Sequence, residues 1–282
     1  MIVYSSYGMG DTLNTRAFLL SYCQQKNIAK NTVEVHTKFP EIFEGDNFIL
    51  KPGNPKIWHG FYYRNFGNFL DIPKKYNFPK CDECLAKNAR IDFNFDIIWP
   101  LNWKREELNF TLPDKFITIN YGHDDNCLTY GNVICIKMWP IEYWETLVKD
   151  INIPVVQIGA GKCCKDIKGT TLNLVNKLSL KQSAEVMRRA LFHIDIEGGL
   201  VYLNQHLGGK SVVLFGPCDV ENQGRSFNLN LRNCDCNPCY EGRFARMHSL
   251  YQNKNNLACH NRCMTELKPE YVIDQIYKNN WL

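Results

Sequence analysis

No run in the 282 residues approaches the ~20 consecutive apolar residues that a membrane helix requires. The N-terminus lacks a basic stretch followed by an apolar one, so no secretory signal is expected. There is no internal repeat and no low-complexity tract. Charge of one sign is not in excess: 33 Lys and Arg against 29 Asp and Glu give a formal +4. That bias permits anionic partners but does not argue for nucleic acid. Two phosphate-binding signatures are also missing. No G-x-x-x-x-G-K-[ST] occurs, which excludes a P-loop. Gly8-Met9-Gly10 has two glycines of the dinucleotide fingerprint, but Leu13 stands where the third belongs. The next expected strand, "TVEVHTK", does not end in the acidic residue that grips a ribose, which weighs against an NAD-dependent enzyme. The expectation is a cytoplasmic protein without a transmembrane segment, compatible with peripheral membrane contact and with homo-oligomers.

What is present suits a globular chain: 45% hydrophobic and 22% charged residues. The length fits one large domain or two ordinary ones. Strand and helix signals alternate, which predicts an α/β architecture with parallel sheets. "IVYS" reads as a strand and residues 11–26 as a helix. Residues 40–110 are irregular, with a helix expected in "FYYRNFGNFLDI". "FITINYG" is a further strand. The second half is more regular. "NVICIKMWP" reads as a strand running into a loop, followed by the helix "IEYWETLVKDI" behind Pro140. "IPVVQIGAG" and "KSVVLFGP" are buried parallel strands. "SLKQSAEVMRRA" is a helix with a serine cap, "LFHIDIEGGLVYLNQHLGG" a strand, Gly-rich turn and helix, and "KPEYVIDQIYKNN" a last helix. Two consecutive doubly wound, Rossmann-like domains facing a cleft are expected, residues 1–130 and 131–282.

In open α/β sheets, ligands bind outside the carboxyl ends of the strands. The loops expected there are Gly8–Asp11, Lys137–Pro140, Gly159–Gly161 and Glu197–Leu200. Gly198 and Gly199 stand where a helix starts, and free backbone N–H groups with the helix dipole favour a phosphate there. Glu197 would not meet a phosphate; it suits sugar hydroxyls, or is a solvated residue of a tight turn. Lys137 can neutralise a diphosphate as a point charge, or is simply solvated.

Thirteen cysteines are present. Five crowd into "NCDCNPCYEGRFARMHSLYQNKNNLACHNRCM": Cys234, Cys236, Cys239, Cys259 and Cys263. Cys236 and Cys239 form a C-x-x-C, Cys259 and Cys263 a C-x-x-x-C. Four thiolates at this spacing suit tetrahedral zinc or iron in a structural role. Cys234 is an alternative ligand, and His248 or His260 could replace one thiol. Reduced structural thiols and a disulfide pair are the competing readings.

Together these stretches resemble glycosyltransferase family 9, the ADP-heptose heptosyltransferases with a GT-B fold. "S-x-x-G-M-G-D-T-L" is similar to the family's first strand-loop-helix, "KMWPIEYW" to its K-x-W-P-x-E-x-W element, and "IEGGLVYLNQHLGGKSVVLFGP" to its donor segment. Glu197-Gly198 stands at the family's common Asp-Thr, Tyr202 at its usual His, and Cys218 at the Thr after Gly-Pro. The clustered cysteines resemble the branch of bacterial autotransporter heptosyltransferases, which implies iron. The resemblance implies an inverting transferase. It would move a sugar, a heptose, from an ADP-linked nucleotide-sugar donor to a hydroxyl of a surface glycan, lipooligosaccharide or protein acceptor. It further implies that Asp11 is the general base, against the alternative that it only favours the positive end of the first helix. Lys137 steadies the leaving diphosphate. The donor side comprises Gly8, Gly10, Trp139, Gly159, Ala160, Glu197, Gly198, Gly199, Leu200 and Tyr202. No metal is required for the transfer itself. A noncatalytic, metal-stapled binding or assembly module of the same fold is the other reading.

Overall fold

The computed structural model describes residues 1–5, 8–53, 81–122, 137–235 and 262–282. They fall into two compact units: Met1–Lys104 with Gln205–Gly208, and Arg105–Asn204 with Gly209–Leu282. The helix expected in "FYYRNFGNFLDI", the strand expected over 132–136 and most of the cysteine segment lie outside the described residues. Among the described residues, no helix is long and apolar enough to cross a membrane.

The first unit holds a three-stranded parallel sheet, β1 (Ile2–Tyr4), β2 (Glu34–Thr37) and β3 (Ile49–Pro52), in that order. Helix α1 (Met9–Gln25) starts earlier than its sequence suggests. Its N-cap is Gly8, whose extended backbone ends the loop without a side-chain cap, so no Ser, Thr, Asp or Asn marks the start. Nearly every side chain from Thr12 to Leu20 is buried, and Leu13 is fully inside. The missing fingerprint glycine is therefore a core residue. Buried hydroxyls turn inward: Thr15 Oγ1 donates to Asp11 O at 2.7 Å. Residues 40–110, irregular by sequence, supply β3 and helix α2 (Cys81–Ala89).

Arg16 is a buried cation of this unit. It reaches Asp46 through Nε (2.6 Å) and Nη2 (3.0 Å), and donates to the carbonyls of Trp99 and Pro100 at 2.7 and 3.0 Å. One guanidinium thus ties α1 to two irregular segments far away in sequence, a use for which its planar fork is suited.

The second unit is built on a six-stranded, fully parallel sheet. Its strands are β4 (Ile117–Asn120), β5 (Val155–Ile158), β6 (Leu172–Asn173), β7 (His193–Ile196), β8 (Ser211–Leu214) and β9 (Leu229–Leu231), in the order β6-β5-β4-β7-β8-β9. Strand β4, which the sequence pattern assigns to the first domain, is central to this sheet, so the second unit begins well before residue 131. One face carries Ile117, Ile119, Ile194, Ile196, Val212 and Leu214 against helices α3 (Ile141–Asp150) and, later in the chain, Pro269–Lys278. Helix α4 (Leu180–Arg189) opens with a full capping box between Ser179 and Gln182. Helix α5 (Gly199–His206) follows β7.

Replacing Arg16 by Met leaves the Asp46 carboxylate buried without its cation. The expected loss is about 3–5 kcal/mol in the first unit, read as a lower denaturant midpoint for that unit's transition. An unchanged midpoint would show that the pair is dispensable.

Candidate functional site

Numbered within its own sheet, the second unit has the strand order third, second, first, fourth, fifth, sixth. The strands all run parallel, but the order in which they are added reverses between β4 and β7, and an open α/β sheet has its crevice outside the carboxyl ends of such a pair. The side chains found there are polar. On β4 and β7, Asn120 Nδ2 donates to both oxygens of Asp195 (3.2 and 3.1 Å), and the amide of Ile196 adds 2.7 Å to Asp195 Oδ1. His193 Nε2 lies 3.4 Å from Asp195 Oδ2, and Thr118 Oγ1 lies 3.0 Å from His193 Nδ1. Burial pushes the Asp195 carboxyl up, against the hydrogen bonds from His193 and Asn120 that pull it down.

One residue past β7, Glu197 is the hub of a second buried cluster. Its Oε1 accepts from the Tyr202 hydroxyl at 2.6 Å. Its Oε2 accepts from the Lys137 ammonium and from Cys218 Sγ, the latter at 3.2 Å. Both side chains of the Lys137–Glu197 ion pair are about nine-tenths buried. Burial alone would raise the Glu197 carboxyl. The Lys137 charge and hydrogen bond, with those of Tyr202 and Cys218, outweigh it and hold the group down to about 2. Burial, then the neighbouring carboxylate, pushes the Tyr202 phenol well above its ordinary value. Burial does the same to the Cys218 thiol, with Lys137 pulling against it and Glu197 adding to it. Both therefore stay protonated and serve as donors. Among the described residues, Glu197 thus meets Lys137, Tyr202 and Cys218.

The other expected residues divide by what surrounds them. At Gly198, among the described residues, a Cβ would meet only the Ile196 carbonyl, at 3.7 Å. Gly199 and Leu200 form the first turn of α5, whose leading N–H groups have no acceptor within the helix. Gly159 has φ +135°, and a Cβ there would come within 2.4 Å of Asn120 Oδ1. Close approach of β5's end to β4 requires that glycine. The Ala160 carbonyl accepts from Cys164 Sγ at 3.3 Å. Trp139 is fully buried, its indole N–H donating to the Leu267 carbonyl at 2.7 Å and its ring edge-on to Trp144. It offers no surface to a ligand; it anchors the chain two residues beyond Lys137. In the first unit, Gly8, Gly10 and Asp11 open α1. Asp11 is exposed, and its Oδ2 lies 3.1 Å from where a Cβ on Gly8 would stand. The carboxylate folds over a backbone that glycine leaves bare, at the helix's positive end.

Of the expected metal ligands, Cys236, Cys239 and Cys259 lie outside the described residues. Cys234 is half-buried. Cys263 is buried on the short helix Arg262–Thr265, and Cys234 packs against the same core. Cys234, Asp235 and Glu266 bring ligand atoms within 4.8 Å of one another. Arg262 already pairs with Glu266 at 2.6 Å and Asp235 at 3.6 Å. The carboxylates are thus compensated by a guanidinium, and the thiols are the donors that fit a borderline-soft ion.

Asn120, Asp195 and Arg225 carried no motif. The signal that would have found the first two is polar side chains alternating with apolar ones at the ends of otherwise buried strands.

No protein-family model matches the sequence, and none of the curated proteins matches it by sequence. Solved structures do match the fold. A bacterial iron-containing dodecameric glycosyltransferase, TibC from enterotoxigenic E. coli, aligns with TM-score 0.69 and 13% identity over 99% of this chain and 75% of its own. A glycosyl transferase family 9 protein from Veillonella parvula aligns with TM-score 0.66 and 14% identity, covering 98% and 96%. E. coli ADP-heptose lipopolysaccharide heptosyltransferase II aligns with TM-score 0.58 and 12% identity, covering 98% and 97%. At such identities the likeness is one of fold: the chain has the GT-B fold of these glycosyltransferase structures, with two Rossmann-like units on parallel sheets.

Proposed function

We propose that the chain is an inverting glycosyltransferase that moves a heptose from an ADP-linked donor to a hydroxyl of a surface glycan, lipooligosaccharide or protein, in the cytoplasm. One observation carries most of the reading. A buried lysine–glutamate pair and a glycine-led helix start stand together at the switch point of a Rossmann sheet. The first supplies a fixed cation, the second leading N–H groups that have no acceptor within the helix, and a nucleoside diphosphate suits both. The neighbours support the donor class: TibC has been seen in complex with ADP-D-β-D-heptose, and heptosyltransferase II is named for ADP-heptose.

In the transfer, an acceptor oxygen attacks the anomeric carbon as the bond from that carbon to the diphosphate oxygen breaks. Asp11 takes the proton of the attacking hydroxyl. ADP leaves with the bonding electron pair, and the Lys137 charge with the N–H groups of Gly199 and Leu200 offsets the charge that grows there. Asp11 suits this role because its carboxylate is exposed at the start of α1. No metal step is needed.

A structural metal fits the cysteine segment. Cys236, Cys239, Cys259 and Cys263 would hold iron or zinc, with Cys234 as an alternative ligand. The ion would staple a polar segment between the sheet's last strand and the C-terminal helix. Iron is favoured by the iron-containing TibC neighbour, zinc by ligand type.

Three outcomes follow. With ADP-heptose and acceptor, Asp11→Ala should lose transfer by roughly 10²–10⁴-fold while ADP affinity stays within about twofold; full transfer would remove Asp11 as base. Lys137→Ala should lower turnover more than it weakens ADP binding, and unaltered kinetics at saturating donor would remove Lys137 from the site. Elemental analysis should find about one metal per chain, lost in Cys239→Ser; a metal-free protein of normal melting temperature would end the staple. A noncatalytic module would release no ADP in the first of these assays.

A further inference from the structure

Two side chains beside Glu197 do more than fill space. Tyr202 comes from α5 and Cys218 from the turn after β8, and both are almost completely buried, at 5% and 1% exposure. Each places its hydrogen-bond donor on a different oxygen of the same carboxylate. A carboxylate gripped by one donor can rotate about its last torsion. One gripped at both oxygens from two elements cannot do so without breaking a bond. We infer that Tyr202 and Cys218 are positioning residues that fix the Glu197 carboxylate and, through it, the Lys137 ammonium at the carboxyl end of β7. The catalytic consequence rests on the donor-site reading above.

The surroundings of Tyr202 show that its ring is held independently of its hydroxyl. The Arg225 guanidinium lies 4.7 Å over the ring centroid and is itself buried, donating to the carbonyls of Gln223 and Gly224 at 3.1 and 3.4 Å. The single phenolic proton has two oxygens within reach, Glu197 Oε1 at 2.6 Å and Gln223 Oε1 at 3.2 Å. It goes to the shorter, charged contact. The Gln223 amide, turned over, then donates to the phenol oxygen. Tyr202→Phe therefore deletes the O–H and keeps the clamped ring. Cys218→Ala deletes the S–H, whereas Cys218→Ser keeps a donor of similar size.

Lysine labelling of the full chain with acetic anhydride, resolved by mass spectrometry, reads the ammonium's placement without any assay of transfer. Lys149, exposed on α3, is the internal reference. Lys137 should label slowest in the wild type and fastest in Glu197→Gln. Tyr202→Phe and Cys218→Ala should each raise its rate by about tenfold or more, the worth of one hydrogen bond to a charged group. Cys218→Ser should return it to the wild-type rate. A packing role alone predicts Lys137 rates in Tyr202→Phe and Cys218→Ala equal to wild type, and that result overturns the inference. If Tyr202→Phe fails to fold, all its lysines label alike, and the contrast between Cys218→Ala and Cys218→Ser decides. ADP added to the wild type should protect Lys137. Absence of protection with the variant series intact would sink the donor-site reading and leave the positioning standing. Where transfer is measured, Tyr202→Phe should reduce kcat with little change in KM.

Discussion

A carboxylate taken out of water must be paired, and Glu197 is paired three times over. Lys137, Tyr202 and Cys218 reach it from a loop, a helix and the turn after β8. Removing any one leaves an ionised or polar group with too few partners in a place water does not reach, which costs more than the bond itself contributed. The constraint propagates outward. Lys137 can meet Glu197 only if the chain after it is fixed, and Trp139, buried and bonded to the Leu267 carbonyl, fixes it. Leu267 belongs to the core that the C-terminal helix completes. A charge pair at a strand end therefore depends on packing at the far end of the sequence.

The sheet beneath it obeys the same rule. Its helix-bearing face with α3 is apolar, whereas strands β4 and β7 turn Thr118, Asn120, His193 and Asp195 to the other side, each bonded to another. Such a row stabilises only when every member is satisfied, and satisfied it specifies one register. Gly159 belongs to this arrangement: any side chain there would strike Asn120. The glycine that looked like a ligand loop is also a spacer that lets two strand ends approach.

Much of the second unit was legible because strands buried on both faces read as continuous apolar runs, as in "IPVVQIG" and "KSVVLFG", and because Ser179 as a cap announces a helix. Gly198-Gly199 at a helix start was equally plain. What the sequence could not show was pairing over distance. Strand β4 reads as a strand but not as the partner of β7, seventy-odd residues on. Lys137 and Glu197, 60 positions apart, read as two separate site residues. Trp139 shares a motif with Lys137, and its full burial in the core could not be read from that motif. Helix α1 began early because a glycine cap carries no signal, and α2 and β3 were hidden in a stretch rich in Asn, Pro and aromatic residues.

The central claim is that the switch point of the second unit holds a nucleoside diphosphate. A crystal structure of the full chain grown with ADP tests it directly. The account predicts the diphosphate at the start of α5, accepting from the N–H groups of Gly199 and Leu200 and within hydrogen-bond reach of Lys137 Nζ. ADP bound elsewhere, or no ADP at saturating concentration with the Lys137–Glu197 pair unchanged, would contradict it.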